Sequence, residues 1–518
     1  MKYKTNSAGR IIPTHINGMP VIPFKGVGQY KPDGRKYGPK IATCADFPPD
    51  GNKLTGSLRE ALEKSGLRDG MTISTHHHFR NGDLLANMVF DIAHELGVKG
   101  LVWFPSASFP CHEHLIQYLQ DGTIQRIEGS MNGPLGRFVS EGGMQGTGVL
   151  RSHGGRYQAI QDGEVRIDIA VIGAPAADAF GNANGLKGDS ACGLLGFALA
   201  DSQYAEKVIV VTDNLVPFPC VPWQIQGNLV DYTVLIDKLG DPSQIISGTT
   251  RITRSPDRLF LAELTARFCE QTNIIREGFS FQAGAGGTSL AVGEYFRKIM
   301  IRKGLKARFA RGGSNEYLVS MLREGLVDYI LDGQTFDLEG VRSMAENPNH
   351  VWTSPFTSYN YHGKGNFAGM VDVVILGATE IDLDFNANVV THSDGYLLHG
   401  IGGWQNCLFS KTVILPVPLF RDRIPVIKDR VTTLCGPGEL IDVIITERGI
   451  AINPLRQDLL EMVKGSDLPL KSIEELKAEA DRICGVPAPP EFKERIVAAI
   501  KWVDGTMIDV VHQVDTGV

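Results

Sequence analysis

The 518-residue chain has no Cys-x-x-Cys pair, no long apolar run and no surplus of positive charge. Its eight cysteines (Cys44, Cys111, Cys192, Cys220, Cys269, Cys407, Cys435 and Cys484) stand singly. That argues against a disulfide framework or a thiolate zinc cage, and for reduced thiols in a cytoplasmic protein. No apolar stretch approaches the ~20 residues that span a bilayer, so no membrane partner is expected. The opening MKYKTNSAGRIIP lacks the apolar core of a signal peptide. With 51 Lys+Arg against 58 Asp+Glu, a net charge of −7, there is no broad basic face to neutralise phosphates, and nucleic acid is excluded as a general partner. What remains is ordinary for a globular chain of several domains, with 43% apolar and 21% charged residues.

What is present is organised around Phe279–Ser314, which reads as strand, glycine loop, helix, strand. Phe279, Phe281 and Ala283 alternate with smaller or polar residues. Gly284-Ala-Gly286-Gly287 then lets backbone approach a ligand, and Thr288 and Ser289 are expected to cap a helix running to about Arg302. A glycine loop feeding a helix start offers N–H groups to a phosphate or an oxyanion, although many α/β folds carry such a loop for packing alone.

The same layout recurs upstream. Met71–Leu101 matches it with Gly97 on Gly304, an offset of 207, which sets Ile73 on Ser280 without a gap. Asp168-IAVIGAP resembles Asp372-VVILGAT at an offset of 204, and Asn182-Ala-Asn184 then falls on Asn386-Ala-Asn388. Ordered matches at nearly one offset predict two copies of one α/β unit. The expected division is an N-terminal arm at 1–55, a first α/β domain at 56–250, and a second at 251–518 with C-terminal helices over Pro454–Lys464, Ser472–Ile483 and Pro490–Val503. Asp189–Asp201 also reads as helix, whereas the glycine-dense Glu128–Gly155 reads as an irregular loop able to line or cover a site.

In the first copy His76-His-His-Phe-Arg-Asn-Gly-Asp83 occupies the place of the second copy's glycine loop. Read as a strand, it turns His76 and His78 to one face, and no further ligands at recognisable spacing complete a metal set. Cationic side chains opposite a glycine loop suit carboxylate recognition, and histidines satisfied by local hydrogen bonds are an equal reading.

The ordered pieces Gln282-AGAGG-Thr288, Glu380-IDLDFNANV-Val390, Gly400-Ile-Gly-Gly403 and Val443-IITERGIA-Ile452 resemble the CoA-transferase family. The fused length, the tandem repeat and HHHFRNGD are most similar to its citrate lyase α-subunit branch. The resemblance implies an α/β fold of two tandem CoA-transferase-like (NagB/RpiA-like) domains with the site at their junction. It implies a transferase that exchanges acetate for citrate on a thioester carrier, in a cytoplasmic hetero-oligomer. The carrier would be a phosphopantetheine-type arm, derived from dephospho-CoA, on a separate acyl carrier protein (γ) subunit. A β subunit would cleave the citryl thioester, and acetyl-CoA would be a surrogate donor. No cofactor is expected on this chain itself, and no metal.

One departure bears on mechanism. Many family members carry a nucleophilic glutamate on the strand after the glycine-loop helix. Matching that strand places it at Gly312, and Glu316 falls four residues later, inside the next helix. Without that nucleophile, citrate's own carboxylate must attack the acetyl thioester. Gly402 and Gly403 are the oxyanion candidates, with the Gly284–Gly287 loop. Arg311, beside Gly312, with His76, His78 and Arg80, are the cationic candidates for citrate, a surface salt bridge being the other reading of Arg311. Gln334, Asn386, Asn388, Gly284, Gly286, Gly287 and Gly400 are candidates for holding the carrier arm, although Asn-Ala-Asn is also plain turn chemistry. Two readings stay open beside this one: a CoA-transferase or acyl-CoA hydrolase for another acid, and a non-catalytic subunit that only binds the carrier.

Overall fold

The computed structural model describes residues 2–34, 38–245, 251–284, 286–355, 357 and 366–517. Ala285 of the glycine loop and residue 250, the expected end of the first domain, lie outside them. The first half builds a sheet from β1 (Leu54–Thr55), β2 (Thr72–Thr75), β3 (Leu101–Pro105), β4 (Ile124–Ile127), β5 (Ile169–Gly173), β6 (Lys207–Thr212) and β7 (Tyr232–Leu235), in the order β1-β7-β6-β5-β2-β3-β4. The second half uses β8 (Ser280–Ala283), β9 (Ala307–Ser314), β10 (Val327–Thr335), β11 (His350–Trp352), β12 (Val373–Ile375), β13 (Val413–Pro416), β14 (Val443–Thr446) and β15 (Gly449–Ile452), in the order β11-β10-β9-β8-β12-β13-β14-β15. All pairs are parallel except β14 with β15. The central strands are apolar and buried throughout, as parallel strands covered on both faces must be.

Register confirms the repeat. Ile73 pairs with Ile169 in one sheet and Phe281 with Val373 in the other. The preceding aspartates do the same work: Asp168 accepts from the Thr72 N–H at 2.8 Å, and Asp372 from the Ser280 N–H at 2.9 Å. The gap-free alignment is corrected by one residue, because the counterpart of Ile73 is Phe281 and not Ser280. Ile73 pairs with Trp103 while Phe281 pairs with Ala310, so the first copy spends one more residue between the two strands.

Four local expectations are also corrected. The helix after the glycine loop, Gly287–Lys303, begins before Thr288 and Ser289, and Gly286 caps it by backbone alone. Glu128–Gly155 contains a helix, Gly133–Ser140, and a strand, Gly148–Leu150. Asp189–Asp201 is helical only from Ala198, because left-handed glycines at 188 and 193 turn the chain before it. Pro490–Val503 is a strand, Phe492–Lys501. Its Ile496, Ala499, Ile500 and Val503 have helical spacing. The segment finds Gly148–Leu150 on one edge and Met507–Val514 on the other, and Ile12, Ile16 and Val21 of the N-terminal arm pack on its face. Tertiary pairing overrides the local pattern here. This hairpin of the second half is thereby hydrogen-bonded to the first half. No helix among the described residues is long and apolar enough to cross a membrane.

Candidate active site

The carboxyl ends of the two sheets meet, where parallel sheets place their ligands. After β2 the chain turns through His77–Gly82 as a 3-10 helix, not a strand. The three histidines therefore go separate ways. His76 Nε2 lies 2.9 Å from Asp201 Oδ2, and Arg156 holds both oxygens of that aspartate at 2.6 Å. The cation holds the Asp201 carboxyl well below its usual range despite full burial. His78 Nε2 donates to the Gly173 carbonyl at 2.8 Å, and burial pulls the ring down to about 4. His78 is therefore neutral at physiological pH and does not serve as a cation. His76 and His78 do share a side, their rings 6.2 Å apart.

His77 is the ring that reaches the second half. Its Nδ1 lies 2.6 Å from Ser106 Oγ at the end of β3, and its side chain hydrogen-bonds Gln334 on β10. His153, the first residue of helix His153–Asp162, lies 5.7 Å from it, and Phe197 packs 4.4 Å from His77 and 4.6 Å from His153. Burial pulls His77 well below the ordinary imidazole range and His153 to about 3. Both rings are neutral hydrogen-bonding groups.

Arg80 crosses the junction. Its guanidinium donates to the Thr335 carbonyl at 2.9 Å and lies 4.4 Å over the Phe336 ring. Its backbone adopts φ +54°, costly for a side-chain-bearing residue, as happens where a group must be aimed. Burial lowers its pKa to about 10, which leaves it charged. Arg311 is only 1% exposed, so the surface salt-bridge reading is corrected. It donates to Gln282 Oε1 at 2.7 Å and borders a small cavity with Phe281, Gly313 and Tyr317.

Gly312 follows Arg311 at φ +110°, and a Cβ there would sit 3.1 Å from Gln282 Cγ. The strand register slips between Gly312 and Gly313. A side chain at this strand end thus meets both strain and crowding. Glu316 is the first residue of the next helix, Glu316–Arg323, and is exposed.

The Gly400–Gly403 turn lies against this junction. Gly402 takes φ +61°, its carbonyl accepts from the His153 N–H at 2.8 Å, and a Cβ there would lie 3.8 Å from His153 Nε2. Among the described residues, no backbone carbonyl accepts from the Gly402 or Gly403 N–H. Gly400 is pinned by Ser130, whose Cβ would be 2.5 Å from a Cβ at Gly400. Trp404 Nε1 donates to the Gly377 carbonyl at 2.8 Å, and Gln282 Nε2 donates to Cys407 Sγ at 3.1 Å, tying the turn to the ends of β12 and β8. Of the glycine loop, Gly286 is open, while Gly287 is packed 2.9 Å from the Arg251 carbonyl and Gly284 3.3 Å from Ser289, each measured from a would-be Cβ.

The asparagines are engaged in turns. Asn386 donates to Asp382 at 3.3 Å as Asn182 does to Asp178 at 2.9 Å, and each accepts a glycine N–H at 2.9 Å. Asn388 is fully buried on Glu380 and Thr391. Sequence reasoning missed His77, Ser106, His153 and Phe197. Strand alternation pointed away from His77, and nothing in spacing links His153 to it. Among the described residues, no three of His, Cys, Asp or Glu group as metal ligands.

Two tandem parallel-sheet units with a junction site define the CoA-transferase-like fold. The α subunit of malonate decarboxylase from Acinetobacter baumannii shares it at 16% identity, with a TM-score of 0.60 over 82% of this chain and 86% of that one. The family model for the citrate lyase α subunit matches residues 51–514, and the chain belongs to that family. It is 41% identical over 464 residues to the citrate lyase alpha chains of Escherichia coli and Klebsiella pneumoniae, covering 89% of this chain and 91% of each of those. It is likewise 41% identical to a citrate lyase α subunit from Streptococcus mutans solved in complex with citrate, with a TM-score of 0.94 over 98% of this chain and all of that one.

Proposed function

We propose that this chain transfers acetate for citrate on a thioester carrier: acetyl-S-carrier plus citrate gives citryl-S-carrier plus acetate. The observation that carries the mechanism is Gly312, a left-handed, crowded glycine at the strand end where a nucleophilic glutamate would be needed. A citrate carboxylate oxygen attacks the acetyl carbonyl and expels the carrier thiolate, leaving an acetyl–citryl anhydride. The thiolate attacks the citryl carbonyl and expels acetate. No net proton moves, which suits buried histidines held neutral. Arg311 and Arg80 supply positive charge to citrate's carboxylates. The N–H groups of Gly402 and Gly403 stabilise the two oxyanions, each donor being worth ~3 kcal/mol. Holding two substrates in line contributes several kcal/mol more.

On this reading the carrier is a phosphopantetheine-type arm on an acyl carrier subunit, and a lyase subunit of the same cytoplasmic assembly consumes the citryl thioester. On the same reading Gly286, where a Cβ would meet nothing within 4 Å, leaves room for the arm, and Gln334 is a further group that would hold it. The test is release of acetate from an acetyl-carrier by the isolated chain. Citrate-dependent release is expected. Release dependent on another acid, or none at all, would replace this reading by another transferase or by a carrier-binding scaffold.

A further inference from the structure

The strand end that reaches the other half is irregular. Gly312 of β9 pairs with Asp332 of β10, but Gly313 pairs with Gln334, so Gly333 is an extra residue and β10 bulges there. A bulge interrupts the ladder, and buried N–H groups left without partners are costly. The Asp332 carboxylate supplies those partners, although it is itself fully buried. Its Oδ1 accepts the Gln334 N–H at 2.9 Å and the Ser314 N–H at 3.2 Å. Its Oδ2 accepts the Ser314 hydroxyl at 2.6 Å and the Thr335 hydroxyl at 3.0 Å. His350 Nε2, on β11, lies 3.2 Å from the same oxygen, and the Thr353 N–H and hydroxyl each donate to the Asp332 carbonyl at 2.7 Å. One carboxylate thus ties together the ends of three strands.

The residues just past the bulge are the ones that touch the first half. Gln334 meets His77, the Thr335 carbonyl accepts from Arg80, and the Phe336 ring lies under the Arg80 guanidinium. On a strand, one residue more or less sends every later side chain to the opposite face. Without the extra residue, Gln334 would turn away from His77. The Asp332 charge also acts on Arg80 directly, against the loss of charge that burial favours. We propose that Asp332 is a positioning residue: by pinning the β10 bulge it fixes Gln334, Thr335 and Phe336 where they aim His77 and Arg80 of the other half into the junction. The consequence for citrate rests on the function proposed above, whereas the pinning is measurable without turnover.

Hydrogen exchange of the full chain, read by mass spectrometry over residues 76–83, tests the pinning. Asp332→Ala should lower protection there by about tenfold, and Asp332→Asn, which keeps the size and one acceptor oxygen, by about threefold. Asp372→Asn, at the carboxylate that ties β12 to β8 at the amino-terminal edge of the same sheet, should leave residues 76–83 unchanged. Steady-state kinetics tests the aim. Asp332→Ala should raise the citrate KM by about tenfold and the thioester KM by less than about twofold. Arg80→Ala combined with Asp332→Ala should be no worse than Arg80→Ala alone, because residues acting through one another do not add. Should the alanine variant fail to fold, Asp332→Asn carries both tests. Unchanged protection over residues 76–83, or fully additive losses with Arg80→Ala, would overturn the proposal. Protection lost in the variants of a chain that is inert to citrate would uphold the positioning and remove the proposed function instead.

Discussion

The same strand–loop–helix unit ends in side chains in one half and in glycine in the other. After β2 stand His77 and Arg80, one hydrogen-bonded to Gln334 and the other to the Thr335 carbonyl of the opposite half. After β8 stands Gly286, and at the carboxyl end of β9 stand Gly312 and Gly313, which present backbone. One copy reaches across with charge and imidazole, while the other ends in glycines at the corresponding positions. A single copy would have to crowd both roles onto one strand end, and the 1.8 Å gap between a would-be Cβ of Gly313 and the Phe336 ring shows how little room there is.

Breaking the glycine side should cost most. Gly402→Val would strain a φ of +61° and displace the proposed oxyanion donor, and turnover should fall by about a thousandfold with the fold intact by circular dichroism. Near-normal turnover would remove the turn from the mechanism. Breaking the charged side should act on citrate. Arg311→Ala should raise the citrate KM by about ten- to a hundredfold and the thioester KM far less, if the guanidinium pairs with citrate's carboxylates as proposed. Steady-state kinetics in both substrates would check this, and equal effects would count against the assignment.

The neutral imidazoles sharpen the comparison through pH. With His153 pulled to about 3 in the folded chain and its ordinary value regained on unfolding, the unfolded state binds the extra proton below about pH 6.5. Stability therefore falls as pH drops, by about 2 kcal/mol between pH 7 and 5 for this one ring. Urea unfolding of His153→Phe should show a shallower acid loss than wild type. The smallest effect belongs to Glu316→Gln. An exposed helix-start carboxylate outside the junction should change kcat by less than about twofold, the usual range for a surface substitution.

Much of this was legible in the sequence. The repeat followed from Asp168 and Asp372 and the strands after them, because an aspartate tied to a neighbouring strand's N–H leaves a recognisable pattern. The lack of a carboxylate at position 312 also follows from sequence, but its left-handed backbone does not. Phe492–Lys501 was misread because its helical spacing is real and only its two strand neighbours decide against it. Of the three histidines, alternation put His76 and His78 on one side correctly, yet a 3-10 turn sends His77 to the other half. His153 lay hidden, because its link to Gly402 joins residues far apart in the chain.

The central claim is that citrate, and no residue of this chain, attacks the acetyl group. It is tested most directly by a single turnover with carboxyl-¹⁸O citrate and an acetyl thioester, followed by mass spectrometry of the acetate released. Direct attack makes the bridging anhydride oxygen citrate's own, so the acetate should carry ¹⁸O. Unlabelled acetate, with a thioester left on the protein, would mean that an enzyme carboxylate is the nucleophile and would contradict the account.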